Sequence, residues 1–324
     1  SGAAGAGRHD DIYADEAVGL LSQLKDSQDP WCLFVGFTAP HDPYVVEQKY
    51  LDMYDIEDIP LPPSYGDELK DKPYMVQKMY DMCFGQMSEH EVKDAIRHYW
   101  AVCTYVDEQL GRLLNTLEET GQADDTLVLF CSDHGDYCGD HGLFLKGPPC
   151  YQGAYRVPAV IRWPNGITAP GRRENAFVSL ADFAPTFMEL AGLEVSRDLT
   201  GESLVPFLNN TPPVGWRQEI HTQCNGVELY YTQRSVMTER YKFVFNGLDK
   251  DELYDLKLDP HEMCNRLEDP SYEAVKRELC RHMWRFAYEE DDTVINAYPT
   301  VSLAPYGPSE AFRPSQMDLR HNRQ

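Results

Sequence analysis

Asp133, His134, Asp136 and Lys146 fall within fourteen residues of one another, in Ser132-Asp-His-Gly-Asp-Tyr-Cys-Gly-Asp-His-Gly-Leu-Phe-Leu-Lys146. A carboxylate beside an imidazole suits a divalent cation, and an ammonium further along suits an anionic substrate held against it. Asp-His pairs in loops are common, and most are only solvated. Position sets this pair apart. It follows Thr126-Leu-Val-Leu-Phe130, a short apolar run that reads as a buried strand of a parallel sheet. In open α/β sheets the chemistry gathers just beyond the carboxyl ends of the strands. Gly135, Gly139, Gly142 and Gly147 let the loop turn tightly and approach a ligand.

A second stretch repeats the arrangement. Trp31-Cys-Leu-Phe-Val-Gly-Phe37 reads as another buried strand, and Thr38-Ala-Pro-His41-Asp42-Pro43-Tyr44 follows at once. The two prolines fix the backbone there. A lone loop histidine is more often packed than reactive. Two strand ends carrying His and Asp argue for one shared site.

The elements that must position these groups are legible in outline. Residues 13–25 have helical spacing, with Ala17, Leu20, Leu21 and Leu24 on one face. Residues 51–80 are rich in Pro, Tyr and Asp and read as an excursion over the active-site face. Ser88-Glu-His-Glu91 is a capping box that starts a long helix to about Thr120, ended by Gly121. Residues 156–164 form a further strand, and residues 178–192 a strand end and a helix. Beyond Thr211-Pro-Pro213 the pattern changes to short antiparallel strands, at about 215–222, 230–237, 241–245 and 252–256. A helix at 271–288 follows them. The expected organisation is a core over 1–212, an antiparallel-sheet subdomain over 213–290 and an arm or tail over 291–324. The opening residues 1–7 read as a linker or cut end.

Net charge is −24, from 29 Lys and Arg against 53 Asp and Glu. A chain this acidic is not expected to track nucleic acid or other polyanions. No apolar run approaches the ~20 residues of a membrane span, so no membrane partner is expected. The nine cysteines include no Cys-x-x-Cys pair. Reduced thiols, and with them a cytoplasmic location, fit better than a disulfide framework.

Taken together, Phe37-Thr-Ala-Pro-His41-Asp42-Pro43-Tyr44, Ser132-Asp133-His134-Gly135-Asp136, Gly139-Asp-His-Gly-Leu-Phe-Leu-Lys146, Val157-Pro-Ala-Val-Ile-Arg-Trp-Pro164 and Leu180-Ala-Asp-Phe-Ala-Pro-Thr-Phe-Met-Glu-Leu-Ala-Gly192 resemble the formylglycine-dependent (type I) sulfatases of the alkaline-phosphatase superfamily. The resemblance implies an α/β fold, with a mixed, mainly parallel sheet sandwiched by helices. A small C-terminal antiparallel sheet with a helix would follow. It implies a metal-dependent sulfuric ester hydrolase acting on a small sulfate ester. Asp133 and His134 would ligate the divalent metal, expected to be calcium, with magnesium, manganese or zinc as alternatives. His41 would contact the ester oxygens and assist the leaving group, and Lys146 would hold a sulfate oxygen. Many members carry Asn where this chain has His134. The His form also occurs in the related phosphonate and phosphodiester hydrolases, which form the alternative reading beside a catalytically inactive remnant.

The family's nucleophile motif, Cys or Ser followed by x-Pro/Ala-x-Arg, fits none of the nine cysteines. Asp133 and His134 supply only two or three of the six or more donors that a hard cation wants. Asp10-Asp11 and Asp124-Asp125 do not follow apolar strands and read as solvated turn residues. The expectation is an N-terminally incomplete chain, inactive alone, whose formylglycine lies in a missing segment. The sequence leaves a homo-oligomer open.

Overall fold

The computed structural model describes residues 7–194, 198–226, 231–292 and 306–312. Two compact units share the chain, one formed by residues 1–66, 80–146 and 153–172, the other by 67–79, 147–152 and 173–324.

In the first unit, helix α1 (Gly7–Leu24) packs on the long helix α2 (Glu89–Glu119). The capping box of α2 is formed. Ser88 Oγ accepts from the Glu91 amide at 3.3 Å, and the Glu91 carboxylate accepts from the Ser88 amide at 2.8 Å. Such a cap contributes about 1 kcal/mol. Gly121 follows the helix with φ +73°, the left-handed turn that glycine takes without strain. Ala17 and Leu21 of α1 meet Leu113 and Leu117 of α2 in one apolar cluster.

Strand β1 (Val128–Cys131) pairs antiparallel with β2 (Ala159–Arg162), Val128 opposite Arg162 and Cys131 opposite Ala159. Residues 31–37 do not behave as the fully buried strand read from their composition. They pair with no strand among the described residues. Trp31, Leu33, Val35 and Phe37 pack against the α1–α2 cluster, while Phe34 is 91% exposed. The alternation is that of a half-buried segment, and the unbroken apolar composition hid it.

In the second unit, β3 (Glu219–Cys224), β4 (Gln233–Thr238), β5 (Tyr241–Phe245) and β6 (Glu252–Asp255) form an antiparallel sheet in sequence order. Helix α3 (Phe183–Leu190) precedes the sheet, and helix α4 (Glu273–Glu289) covers one face of it. There Val236, Phe243 and Leu253 meet Leu279, Cys280, Met283 and Trp284. Side chains alternate across a strand, so Lys242, Glu252 and Tyr254 leave from the other face. They are buried too, in a polar network. Lys242 Nζ donates to Glu262 Oε1 at 2.6 Å, and Tyr254 Oη to Glu252 Oε1 at 2.5 Å. Lys72 Nζ donates to the Glu262 and Met263 carbonyls at 2.6 and 3.0 Å.

Of the segment read as a tail, residues 293–305 and 313–324 lie outside the described residues, as do 1–6 of the opening stretch and the start of the strand read at 230–237. Residues 306–312 pack on α4, where Trp284 Nε1 donates to the Tyr306 carbonyl at 2.7 Å. The ladders among the described residues are all antiparallel, and the mainly parallel order read from the sequence is not among them.

Candidate active site

All four predicted site residues lie in the first unit. Asp133 and His134 leave the end of β1, and Gly135 seats their loop. Its amide donates to the Ala154 carbonyl at 2.7 Å, and a Cβ there would meet the Gly153 carbonyl oxygen at 2.1 Å. No residue with a side chain fits without moving that backbone. Cys138, His141 and Leu145 all have positive φ, at 47°, 53° and 66°. Three non-glycine residues in the left-handed region within one loop is backbone strain of the kind that gathers at functional sites.

His134 Nδ1 donates to the Gly135 carbonyl at 2.8 Å. That fixes the tautomer and leaves Nε2 with a free lone pair, 3.8 Å from Asp133 Oδ2. The Asp133 side chain is 85% exposed. An imidazole that binds a metal through one nitrogen commonly donates its other N–H in this way, so Asp133 and His134 could offer two donors to a cation. No group of three or more His, Cys, Asp or Glu suited to a metal occurs among the described residues.

His41 and Lys146 meet. Lys146 Nζ donates to His41 Nε2 at 2.5 Å. His41 Nδ1 faces the Asp42 carbonyl at 2.9 Å and Asp42 Oδ1 at 3.0 Å, and Asp42 Oδ1 is 4.0 Å from Lys146 Nζ. The His41 and His134 rings stand edge to face, 6.3 Å between centroids. The cluster after residues 31–37 and the cluster after β1 therefore come together, with an amine, two imidazoles and an exposed carboxylate side by side. An anionic ester placed among them would meet the Lys146 Nζ donor, with the His41 ring beside it.

Two neighbours escaped the sequence reading. Asp10, read as a solvated turn residue, is fully buried in α1. Its carboxylate accepts from the Thr38 and Ala39 amides at 2.8 and 2.9 Å and so pins the His41 segment. The signal was present: Asp10, Ala14, Ala17 and Leu21 form one buried stripe at helical spacing. Tyr44 is the other. Its hydroxyl donates to Asp136 at 2.5 Å, and burial, then that carboxylate, push its phenol far above the ordinary range. Asp136 faces inward, and burial raises its carboxyl against the pull of its hydrogen-bond donors.

The sulfatase family profile matches residues 3–193, more than half of the chain. The choline-sulfatase of Rhizobium meliloti is 38% identical over 80% of this chain. The chain belongs to the sulfatase family. A second profile, the C-terminal part of N-sulphoglucosamine sulphohydrolase, matches residues 139–289. Among solved structures, BT4656 in complex with its substrate D-glucosamine-2-N,6-O-disulfate superposes with TM-score 0.72 at 25% identity, over 87% of this chain and 70% of that one. The phosphonate monoester hydrolase of Agrobacterium radiobacter gives 0.70 at 27%, over 88% and 60%. The fold is therefore the α/β fold of the sulfatases. The chain spans about half the length of the choline-sulfatase, 51%.

Within this sulfatase chain no cysteine is prepared as a nucleophile near the site. Burial, then the Asp133 charge, raises the Cys131 thiol, and burial raises Cys138 much further. A raised thiol holds little thiolate at neutral pH.

Proposed function

We propose that the whole protein is a metal-dependent sulfuric ester hydrolase cleaving a small sulfate monoester. The observation that carries this reading is the contact of Lys146 with His41, 2.5 Å apart, beside the Asp133–His134 pair. Lys146 Nζ would hold a sulfuryl oxygen and stabilise the charge that grows on it. With Lys146 turned from His41 to the ester, His41 Nε2 would be free to take up a proton and pass it to the leaving alcohol. Asp133 and His134 would hold the divalent cation, which when bound draws further charge from the sulfuryl oxygens. Calcium is the member of the expected set that an imidazole donor suits least, and manganese or zinc suit it better. The attacking oxygen, on formylglycine, would come from chain outside these 324 residues, since no cysteine here fits the motif. On this reading the 324 residues alone are inactive. The mainly parallel sheet would likewise form with strands outside them.

The net charge of −24 opposes polyanionic substrates and nucleic acid, and favours a small or cationic ester. With a choline-sulfatase at 38% identity, choline sulfate is the first ester to try. The nine free thiols support a reducing compartment such as the cytoplasm. A second reading, phosphonate or phosphodiester hydrolysis, draws on His134 and on the likeness to phosphonate monoester hydrolase. Turnover of an aryl sulfate, an aryl phosphonate and choline sulfate by the whole protein separates the two. Faster sulfate hydrolysis supports the first, faster phosphonate hydrolysis the second, and inertness towards all three marks an inactive member.

A further inference from the structure

One carboxylate touches every stretch that carries a candidate group. Asp136 Oδ2 accepts from Tyr44 Oη at 2.5 Å. Its Oδ1 accepts from the Leu145 amide at 3.0 Å and from the Cys138 amide at 2.8 Å. Tyr44 lies three residues beyond His41, Leu145 directly precedes Lys146, and Asp136 itself lies two residues beyond His134. Lys146 Nζ then returns to His41 Nε2. The contacts close a ring that runs His41, Tyr44, Asp136, Leu145, Lys146 and back to His41.

We propose that Asp136 is a positioning residue that, through Tyr44 on one side and Leu145 on the other, sets the spacing of His41 against Lys146. The inference rests on the hydrolase reading for what that spacing does, but not for the spacing itself. A carboxylate suits the task because it only accepts, and its two oxygens can serve a phenol and two amides together. Asparagine at 136 would turn an NH2 towards one of those donors and lose that contact.

Both ends of the ring are anchored. The Tyr44 ring meets Tyr99 edge to face at 5.3 Å, and the Tyr44 carbonyl accepts from His98 Nδ1 at 3.1 Å, so α2 holds the tyrosine. The Leu145 carbonyl accepts from the Tyr137 amide at 2.9 Å. Leu145 is thus gripped at both its amide and its carbonyl while its φ is +66°, a conformation that persists only where the surroundings impose it. The inward-facing Asp136 does not itself reach a substrate; it acts on where Lys146 and His41 stand. A misplacement of about 1 Å can cost on the order of 10²-fold in rate.

The test uses Tyr44→Phe and Asp136→Asn in the whole protein, with two readouts. Crystal structures give the separation of Lys146 Nζ and His41 Nε2, expected to widen by about 1 Å. Turnover of 4-nitrophenyl sulfate and of an alkyl sulfate gives the dependence on leaving group. The alkyl ester needs the proton from His41 and the nitrophenyl ester hardly does. The expected loss is therefore about 10²-fold for the alkyl ester and about tenfold or less for the other. Tyr44→Phe removes a single hydroxyl, so it keeps the test open should Asp136→Asn fold poorly. An unchanged separation overturns the proposal. So does an equal fractional loss for both esters, which is what a smaller folded fraction produces. If the unsubstituted protein hydrolyses neither ester while the separation widens in the variants, the hydrolase reading falls and the positioning role stands.

Discussion

Lys146 in the first unit and Lys242 in the second each direct Nζ at a neighbour, at 2.5 and 2.6 Å. Their surroundings differ in every other respect. The side chains of Lys146, His41 and Asp133 are 28%, 40% and 85% exposed. Those of Lys242 and Glu262 are 5% and 2% exposed. The open cluster keeps donors and acceptors that a ligand can take up. In the buried one, Lys242 is shared between Glu262 and the Cys150 carbonyl, and the remaining Glu262 oxygen accepts from the Gln152 amide at 2.9 Å. Charge that serves a substrate has to stay reachable. Charge that serves the fold has to be saturated, because an unpaired buried ion costs several kcal/mol.

The sharpest way to break this contrast is Lys242→Met. It leaves Glu262 buried without its cation, and the expected loss is about 3–5 kcal/mol of unfolding free energy by urea titration. Adding Glu262→Gln, which removes the charge but keeps an acceptor for the Gln152 amide, should recover part of it. A loss under about 1 kcal/mol for Lys242→Met would mean that the buried pair is not saturated in the way described.

Asp10 tests the same rule inside the unit that carries the site. Asp10→Ala leaves the Thr38 and Ala39 amides without acceptors, at a cost of about 1–3 kcal/mol. Hydrogen exchange at those two amides should speed up sharply, and unchanged protection would remove Asp10 from the support of the His41 segment.

The smallest effect concerns His282 in the second unit, held between Glu219 at 2.5 Å and Glu278 at 2.9 Å. The Glu219 hydrogen bond raises His282 above 6.5, against burial. Burial would raise Glu219, but its bonds with His221 and His282 outweigh this and hold it at about 2. The raised imidazole stabilises the fold fully below its unfolded value of 6.5 and loses that contribution as pH rises through its folded value. The depressed carboxyl contributes above its unfolded value of 4.5, and that is lost as pH falls towards about 2. His282→Asn should flatten the alkaline limb of stability against pH by about 1 kcal/mol. An identical limb in the variant would show the pair to be uncoupled from folding.

That His41, Asp133, His134 and Lys146 would lie together was legible because each follows or closes an apolar run, a pattern that needs no knowledge of distant contacts. The capping box at Ser88 and the four late strands were legible for the same local reason. Asp10 was only half legible: its stripe with Ala14, Ala17 and Leu21 marks it as inward-facing, but its partners are backbone amides 28 and 29 positions away, which the stripe does not name. Residues 31–37 misled because an unbroken apolar run looks alike whether one face or both are covered. Asp136 stood in the motif from the start, but only the fold shows it turned inward to Tyr44 and Leu145.

On the proposed function, the open cluster spends its charge on a sulfate ester and not on stability. Lys146→Ala in the whole protein, with sulfate-ester turnover and urea unfolding measured on the same preparation, tests it most directly. The expected outcome is a barrier higher by about 2–4 kcal/mol, with stability changed by under about 0.5 kcal/mol. Unchanged turnover together with a large loss of stability would contradict it.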